Sequence, residues 1–301
     1  MQISKYLFPL PTFNKNKPIN TMHFIVKYLI IIVLCTTFTA CFRFRMSDKE
    51  AIKTYGKLSK TFQINRYITG DRTVRSLEIG SDSLPIVLFI HGGLGTAWGF
   101  REYLRDTTLL KHFKMIAIDR PGHGYSDFGK TTVSLEKQAQ LMLPLLKKMK
   151  ASGQKIVLVG HSFGGTLAAR IAMDYPDIAD VLVLSSPAID CNEKLFWFNK
   201  PMNFWAIKWM MPQNFIIAND EKLCHGNECR QMLPFWSKIH VPTIYIHGRN
   251  DEIVPFSNSE FAKKQLTNTP SVKYILKDTL PHVYYVKDID IIKNELLELK
   301  F

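Results

Sequence analysis

The chain has 301 residues, of which 46% are hydrophobic and 22% are charged, and its formal net charge is +13 at pH 7. This composition is typical of a globular protein and excludes a disordered or fibrous chain. The basic residues are scattered and do not form a stripe interleaved with stacking aromatic residues, which argues against a nucleic-acid-binding module.

The first 40 residues differ from the rest of the chain. They hold four lysines, no acidic residue and an apolar run over residues 28–40. A membrane-spanning helix needs about 20 apolar residues, whereas an export signal needs only about 7 to 15. We therefore interpret residues 1–40 as a signal sequence for export in a bacterium. Met22 begins a more conventional signal, so the sequence leaves open whether residues 1–21 are translated.

The end of the apolar run resembles a bacterial lipobox, in which small residues precede a cysteine that becomes the lipid-modified first residue. Thr39, Ala40 and Cys41 fit this pattern, whereas Phe38 replaces the usual aliphatic residue. The resemblance implies a lipoprotein anchored to a membrane through Cys41. A periplasmic or secreted soluble protein and an uncleaved anchor are the alternatives.

Beyond a predicted linker or helix over residues 41–60, short apolar runs alternate with longer amphipathic runs, which is typical of a parallel sheet flanked by helices. Buried strands are predicted over residues 86–90, 115–118, 156–159, 181–184, 243–246 and 272–275. A weaker pair over residues 62–68 and 73–79 is expected to form an antiparallel edge. Helices are predicted over residues 135–149, 166–173 and 289–299.

Residues 190–240 interrupt this alternation and contain no clear strand. They are rich in aromatic side chains, namely Trp197, Trp205, Trp209, Trp236, Phe196, Phe198, Phe204 and Phe215. We interpret the segment as a helical lid over the carboxyl ends of the strands, where ligands bind in open α/β sheets. The catalytic core then comprises residues 61–189 and 241–301. The rings either favour an apolar substrate or pack the lid onto the core, and both interpretations stay open.

Three cysteines follow the predicted signal and Cys41. Cys224 and Cys229 flank Gly226 and Asn227, which favour a tight turn, so a disulfide between them is one of two open possibilities. Cys191 is the third of these cysteines, so their number is odd. The segment has too few Cys and His ligands at suitable spacing for a metal site.

The segment Gly160-His161-Ser162-Phe163-Gly164 follows a predicted strand and precedes a predicted helix, as a nucleophile elbow does. Serine is a weak nucleophile at neutral pH, so it needs a base and a group that orients the base. His282 and Asp251 each follow a predicted strand, in the chain order Ser, Asp, His that this arrangement uses. The Asp-Glu-Ile-Val-Pro context favours Asp251 over Glu252 as the acid.

Two backbone N–H groups are expected to stabilise the oxyanion of the intermediate. One belongs to Phe163, the residue after the nucleophile, and the other to the loop after strand 86–90. Gly93 is the predicted donor in that loop, with Leu94 as the alternative. We expect His91 to brace the loop and His247 to have a structural role beside the acid.

With these motifs in place, residues 70–300 resemble the α/β-hydrolase superfamily, including its Asp119-Arg120-Pro121-Gly122-His123-Gly124-Tyr125-Ser126-Asp127 segment. The resemblance implies a mostly parallel eight-stranded sheet flanked by helices, a hydrolytic triad and an inserted lid that carries specificity. A serine nucleophile argues against the dehalogenase and epoxide hydrolase branches, which use Asp there. Many relatives have Gly before the catalytic His, whereas this chain has Leu280-Pro281.

The predicted activity is hydrolysis of an ester, or an amide, of a small and largely apolar substrate through an acyl-enzyme, without a metal or cofactor. The His-Gly-Gly loop also resembles that of prolyl aminopeptidases, although those usually carry Pro in place of Leu94. Acyl transfer on the same triad is a further alternative. A non-catalytic binding protein is disfavoured because all three triad positions are filled.

Overall fold

The computed structural model describes residues 45–192 and 194–301. The strands are β1 (Gln63–Thr69), β2 (Arg72–Ile79), β3 (Ile86–Ile90), β4 (Lys114–Ile118), β5 (Ile156–His161), β6 (Val181–Ser185), β7 (Thr243–Gly248) and β8 (Val272–Lys277). The helices are α1 (Asp48–Tyr55), α2 (Arg101–Arg105), α3 (Thr107–His112), α4 (Leu135–Ala151), α5 (Phe163–Asp174), α6 (Asn199–Met202), α7 (Trp205–Met210), α8 (Gln213–Met232), α9 (Ser257–Gln265), α10 (Tyr284–Lys287) and α11 (Asp290–Leu297). Two short 3-10 helices cover Ala97–Phe100 and Leu233–Lys238.

The predicted signal sequence and Cys41 lie outside the described residues, so export and lipidation stay predictions from the sequence. Within the described part of the chain, no helix combines the length and the apolar character that crossing a membrane requires.

In the described residues, one sheet contains all eight strands, in the order β1-β2-β4-β3-β5-β6-β7-β8. Strand β2 runs antiparallel to both of its neighbours, β1 and β4, and every other pair is parallel. The predicted mostly parallel sheet with an antiparallel edge is therefore confirmed.

Both faces of the sheet are covered, as continuous apolar strands require. In β3, Ile86, Leu88 and Ile90 pack into one apolar cluster with residues of α4 and α5, whereas Val87 and Phe89 pack into a second cluster with residues of α1, α2 and α11. Side chains of a strand alternate between faces, so this short run contributes to both cores.

Helix α4 begins where the sequence favours a helix start. The Ser134 side chain accepts a hydrogen bond from the Lys137 N–H and caps the helix, and Lys148 and Lys150 lie in its last turn. Cations at that end complement the helix dipole. The helix ends two residues beyond the predicted position.

Between β6 and β7 the chain forms helices, in agreement with the helical interpretation of residues 190–240. We call these residues the insertion. Its longest helix, α8, continues through Gly226 and Asn227, where the sequence indicated a turn. The buried positions Ile217, Glu221, His225 and Cys229 are spaced by four residues and share one face, and their packing overrides the local turn preference.

The continuous helix also decides the question of the disulfide. Cys224 and Cys229 are not bonded to each other. Five positions along a helix amount to a rotation of about 500°, which leaves the two side chains pointing roughly 140° apart. The expected turn would have brought them together, and its absence keeps them separate.

Candidate active site

Ser162 lies in a sharp turn between β5 and α5, with a φ of 56° and a ψ of −124°. A non-glycine residue rarely adopts a positive φ, and such strain is common at active sites. The turn is tight: a Cβ at Gly160 would come 2.3 Å from the Gly164 carbonyl oxygen, and a Cβ at Gly164 would come 2.2 Å from that of Ile90. Only glycine fits at these two positions. Ser162 itself is half-buried and lies at the amino end of α5.

Asp251 and His282 are brought together across 31 positions of sequence. The Nδ1–H of His282 donates to Oδ2 of Asp251 at 2.8 Å. The other oxygen, Oδ1, accepts hydrogen bonds from the N–H groups of Ile253 at 3.0 Å and Val254 at 2.8 Å. With Nδ1 as the donor, Nε2 of His282 is the ring nitrogen that can accept a proton.

The loop that carries His282 is held close to the Asp251 turn by a backbone contact. At Gly248, the last residue of β7, a Cβ would come 1.8 Å from the carbonyl oxygen of Leu280. Any side chain at this position would push the two loops apart. The Leu280-Pro281 pair, which departs from the familial Gly, is therefore accommodated by a glycine on the neighbouring strand.

The Asp251 carboxylate is strongly stabilised in its charged form. Burial alone would raise its pKa, but hydrogen bonds from His247 and His282 outweigh burial and hold the pKa well below its usual range. His247 is buried, its Nε2 lies 3.1 Å from the Val254 carbonyl oxygen and 3.5 Å from Oδ2 of Asp251, and its Nδ1 lies 3.0 Å from the Tyr245 hydroxyl. The expected structural role of His247 is confirmed.

His161 is a neighbour of the site that the sequence analysis did not single out. Its ring centroid lies 4.7 Å from that of His282 and 4.0 Å from that of Tyr285. Its Nδ1 lies 3.0 Å from Oγ of Ser185. Burial, reinforced by the nearby His282, lowers the pKa of His161 well below its usual value, so this ring is neutral and packs against His282.

The loop after β3 passes directly beside Ser162, since a Cβ at Gly92 would come 3.0 Å from Cβ of Ser162. The N–H groups of Gly93, Leu94 and Phe163 have no acceptor among the described residues. Unpartnered N–H groups next to a serine hydroxyl can donate to an oxyanion, and the geometry leaves both Gly93 and Leu94 available as the second donor.

His91 braces this loop, as predicted. Its Nδ1 bonds to the Gly92 carbonyl oxygen at 2.8 Å, and its Nε2 accepts the Arg120 N–H at 2.9 Å. Burial, together with the charge of Arg120, lowers the pKa of His91 well below its usual value. The ring is therefore neutral, and both of its nitrogens are used by the backbone.

The fully buried side chain of Arg120 joins three parts of the site. Its Nε donates to the His91 carbonyl oxygen at 2.9 Å, and its Nη2 donates to that of Gly92 at 3.2 Å. The guanidinium lies 4.4 Å from the ring centroid of Phe163. Its two terminal nitrogens bind both carboxylate oxygens of Glu221, at 2.7 and 2.9 Å. Arg120 thus connects residues 91–95, which we call the oxyanion loop after their predicted role, to helix α8.

Glu221 is equally buried, and its partners compensate for the loss of water. Burial raises its pKa, but Arg120 and His123 outweigh burial and lower it to about 2. The Gln138 amide donates to Oε1 of Glu221 at 2.9 Å and also accepts from Arg120 at 2.8 Å. Helix α8 is therefore fixed above the oxyanion loop, where a Cβ at Gly93 would lie 3.8 Å from Cβ of Ala218.

Neither Glu221 nor Gln138 was predicted from the sequence as a residue of the site. The available signal was weak: Arg120 lies in a segment recognised by its family resemblance, and Glu221 is 101 positions away from it. A buried arginine needs a carboxylate partner, yet nothing in the sequence indicates which acidic residue supplies it.

The aromatic residues of the insertion follow neither expected pattern as a group. Trp236 packs into the core and is 2% exposed. In contrast, Trp197, Trp205 and Trp209 are 86%, 75% and 85% exposed. For these three tryptophans, the interpretation that the rings pack the insertion onto the core is wrong, because they face away from it.

A cleft of about 460 Å³ opens elsewhere, lined by residues that include Tyr67, Glu78, Ile86 and Lys114. Ile86 and Lys114 are the first residues of β3 and β4, so the cleft lies at the amino ends of these strands. Ser162, Asp251 and His282 instead follow the carboxyl ends of their strands. Open α/β sheets bind ligands at that end, so we place the candidate site there. No group of three or more His, Cys, Asp or Glu side chains in residues 45–192 and 194–301 is arranged to hold a metal ion.

The sequence profile of a family described as "alpha/beta hydrolase fold" matches residues 85–224. A "Putative esterase/lipase" of Haemophilus influenzae is 23% identical over 214 residues, covering 61% of this chain and 73% of that protein. A "Pimeloyl-[acyl-carrier protein] methyl ester esterase" of Legionella pneumophila is 27% identical over 247 residues, covering 71% of this chain and 94% of that protein.

Among solved structures, a membrane phospholipase A described as a bacterial virulence factor is similar with a TM-score of 0.63 and 17% identity, covering 92% of this chain and 94% of that chain. At this identity the likeness concerns the fold alone. The chain therefore has the α/β-hydrolase fold, and its esterase and hydrolase relatives support hydrolase activity.

Proposed function

We propose that the protein is a serine hydrolase that cleaves an ester bond of a small, largely apolar substrate through an acyl-enzyme. The observation that carries this proposal is the 2.8 Å hydrogen bond between His282 and Asp251, at the same sheet edge as the strained turn of Ser162. A base with an ionised partner is what a serine hydroxyl needs to act as a nucleophile at neutral pH.

In the proposed mechanism, the Ser162 hydroxyl attacks the ester carbonyl carbon while its proton passes to Nε2 of His282. The Asp251 carboxylate stabilises the resulting imidazolium through Nδ1–H. The oxyanion accepts hydrogen bonds from the N–H groups of Phe163 and of Gly93 or Leu94. His282 then protonates the departing alcohol. Water, deprotonated by the same base, attacks the acyl carbon, and the bond to Oγ of Ser162 breaks as His282 returns the proton to that oxygen and the acid leaves.

An apolar substrate is supported by the side chains beside the reacting groups. Each of the three loops of the site exposes one apolar side chain. Leu94 beside Gly93 is 37% exposed, Ile253 beyond Asp251 is 48% exposed, and Val283 next to His282 is 48% exposed. Apolar side chains around a few polar groups are typical of small-molecule sites. The names of the two relatives above describe esterases, which favours an ester over an amide.

The test is a series of p-nitrophenyl esters of increasing acyl length, run beside a proline arylamide. We expect hydrolysis of the esters, and a loss of at least about a thousandfold in kcat for Ser162→Ala. Ser186 supplies a matched control, since it also has a positive φ (41°) and directly follows a parallel strand of the sheet. Ser186→Ala should keep activity within a few-fold of the parent.

Faster cleavage of the arylamide than of every ester would favour the peptidase alternative. Transfer of the acyl group to added alcohols in preference to water would favour an acyltransferase. Ester hydrolysis that persists in Ser162→Ala would overturn the proposed mechanism.

We also propose that the protein is exported and anchored to a membrane through a lipid on Cys41. This proposal depends on the sequence of residues 1–41 and is independent of the catalytic proposal. Metabolic labelling with a palmitate analogue should disappear in Cys41→Ala, and labelling that persists would refute lipidation at this residue.

A further inference from the structure

Helix α7 and the segments beside it expose an apolar surface. None of the six residues of α7 is buried, although all but Lys208 are apolar. We call this the aromatic surface; it comprises Trp197, Phe204, Trp205, Ile207, Trp209 and Met210, which are 40% to 86% exposed. A helix that is apolar on all sides is normally buried, so this surface indicates a partner.

The size of this surface sets it apart from ordinary exposed apolar residues. An indole side chain offers roughly 200 Å² of contact area, and three of them are at least 75% exposed. Together they approach the largest apolar patch of a typical monomeric protein, about 300–600 Å². Phe204 and Met210, 57% and 62% exposed, extend the patch further.

The charge around the aromatic surface indicates the kind of partner. From Lys194 to Asn219 the sequence holds three lysines and no acidic residue. Lys208 bonds to Asp220 at 2.7 Å, whereas Lys194 and Lys200 form no ion pair with another described residue. Indoles beside lysines that have no carboxylate partner are typical of segments that lie in the interface of an anionic bilayer.

The aromatic surface is tied to the helix that covers the site. Asn199 of α6 and Asn219 of α8 exchange two hydrogen bonds, at 2.8 and 3.1 Å. Asp220 of α8 holds Lys208 of α7. Helix α8 also lies near the oxyanion loop, since a Cβ at Gly93 would lie 3.8 Å from Cβ of Ala218. Because α6 and α7 are held to α8 by these bonds, a partner that binds the aromatic surface would lie against the insertion.

We propose that the aromatic surface docks the protein on an anionic lipid bilayer, with the indoles at the boundary between headgroups and acyl chains. A second copy of this chain fits the surface less well. A symmetric contact would bring each lysine-bearing surface against its own duplicate, with no carboxylate from residues 194–219 to balance the charge. The proposal does not depend on the catalytic mechanism.

The test uses the full chain with Ser162→Ala, which prevents hydrolysis of the probe lipids. Vesicles contain equal parts of phosphatidylcholine and phosphatidylglycerol, with brominated acyl chains that quench nearby indoles. We expect strong quenching of the parent emission. The triple variant W197A/W205A/W209A keeps only Trp98 and Trp236, and its emission should be quenched little. Because quenching reports on the indoles themselves, binding through any other segment does not mask the result.

A second variant keeps all of the tryptophans. Lys194→Gln with Lys200→Gln should weaken binding to the anionic vesicles by about fivefold for each lysine, and change binding to pure phosphatidylcholine little. The matched control is Ile68→Ala, since Ile68 is 69% exposed on β1 outside the insertion. It should leave both quenching and vesicle affinity unchanged.

Weak quenching of the parent by brominated lipid, or equal quenching of the parent and the triple variant, would overturn the proposal. Acrylamide added without vesicles should quench the three surface indoles. If they are shielded without lipid, another occupant covers the surface, which also overturns the proposal; dissociation on dilution would identify a second copy, and persistent shielding would identify another segment of this chain.

Discussion

The two sides of the insertion invert the usual distribution of residues. Helix α8 buries polar side chains against the core, including Glu221, His225 and Glu228, whereas α7 exposes tryptophans to solvent. Burial of polar groups is costly unless each finds a partner, and exposure of large apolar groups usually indicates one. The inner side, formed by α8, therefore holds the insertion in place, and the outer side, formed by α7, is available for binding.

The partners of the inner side are specific. Glu228 accepts a hydrogen bond from the N–H of Leu135 at 2.8 Å, at the amino end of α4, where a carboxylate also complements the helix dipole. His225 bonds through Nε2 to the Ala188 carbonyl oxygen at 2.6 Å. Together with the Arg120–Glu221 pair, these contacts bind α8 to the segments on either side of the Ser162 turn.

The largest effect is expected from removing one member of the buried pair. Glu221→Ala leaves Arg120 buried without a counter-charge, which should lower the free energy of unfolding by about 3–5 kcal/mol. Arg120 also holds the His91 and Gly92 carbonyl groups, so its displacement should lower kcat by at least about tenfold. Urea unfolding at pH 7 and ester hydrolysis measure the two effects.

The double variant Arg120→Met with Glu221→Met separates stability from catalysis. It removes both charges, so most of the lost stability should return. The carbonyl groups of the oxyanion loop still lack their donor, so kcat should stay low. Full recovery of kcat would mean that Arg120 does not hold the loop in its active geometry.

The same pair makes stability depend on acidity. The pKa of Glu221 is about 2, against an ordinary value of 4.5, so its carboxylate stabilises the fold above about pH 4.5 by roughly 3 kcal/mol. This contribution is lost as the pH falls through 4.5 towards 2, and less than about half of it should remain at pH 3. The unfolding free energies of the parent and Glu221→Gln should therefore converge in acid, and a constant difference would contradict the ionised pair.

The smallest effect is expected on the outer side. Trp209 is 85% exposed, so Trp209→Ala should change the free energy of unfolding by no more than about 0.5 kcal/mol. Trp236 is the matched control in the same insertion, because it is 2% exposed and packs against Phe261. Trp236→Ala should cost about 3 kcal/mol or more. Equal costs in thermal unfolding would mean that the two sides do not differ as described.

The sheet could be predicted because its signal is local. Strand β3 matches its predicted limits, and the other predicted parallel strands extend by at most two residues at either end. Fully buried parallel strands are short, nearly continuous runs of apolar residues such as Val, Ile and Leu, and this local pattern identifies them. Ser162, Asp251 and His282 were predicted as site residues in the same way, since each follows such a run and the fold determines which sheet edge they share.

The insertion could not be predicted to this depth, because its contacts are distant in sequence. Gly226 and Asn227 favour a turn locally, and the burial of positions such as Glu221 and His225 on one face outweighs that preference. Composition likewise could not separate Trp236 from Trp209. A tryptophan favours burial in general, and which one is buried depends on how the helices pack.

The central claim is that Ser162 is the nucleophile activated by His282. A fluorophosphonate probe followed by mass spectrometry of the digested protein tests it most directly. We predict a single adduct on Ser162, absent in Ser162→Ala and formed at least about a hundredfold more slowly in His282→Ala. An adduct on another residue, or a labelling rate that His282→Ala leaves unchanged, would contradict the claim.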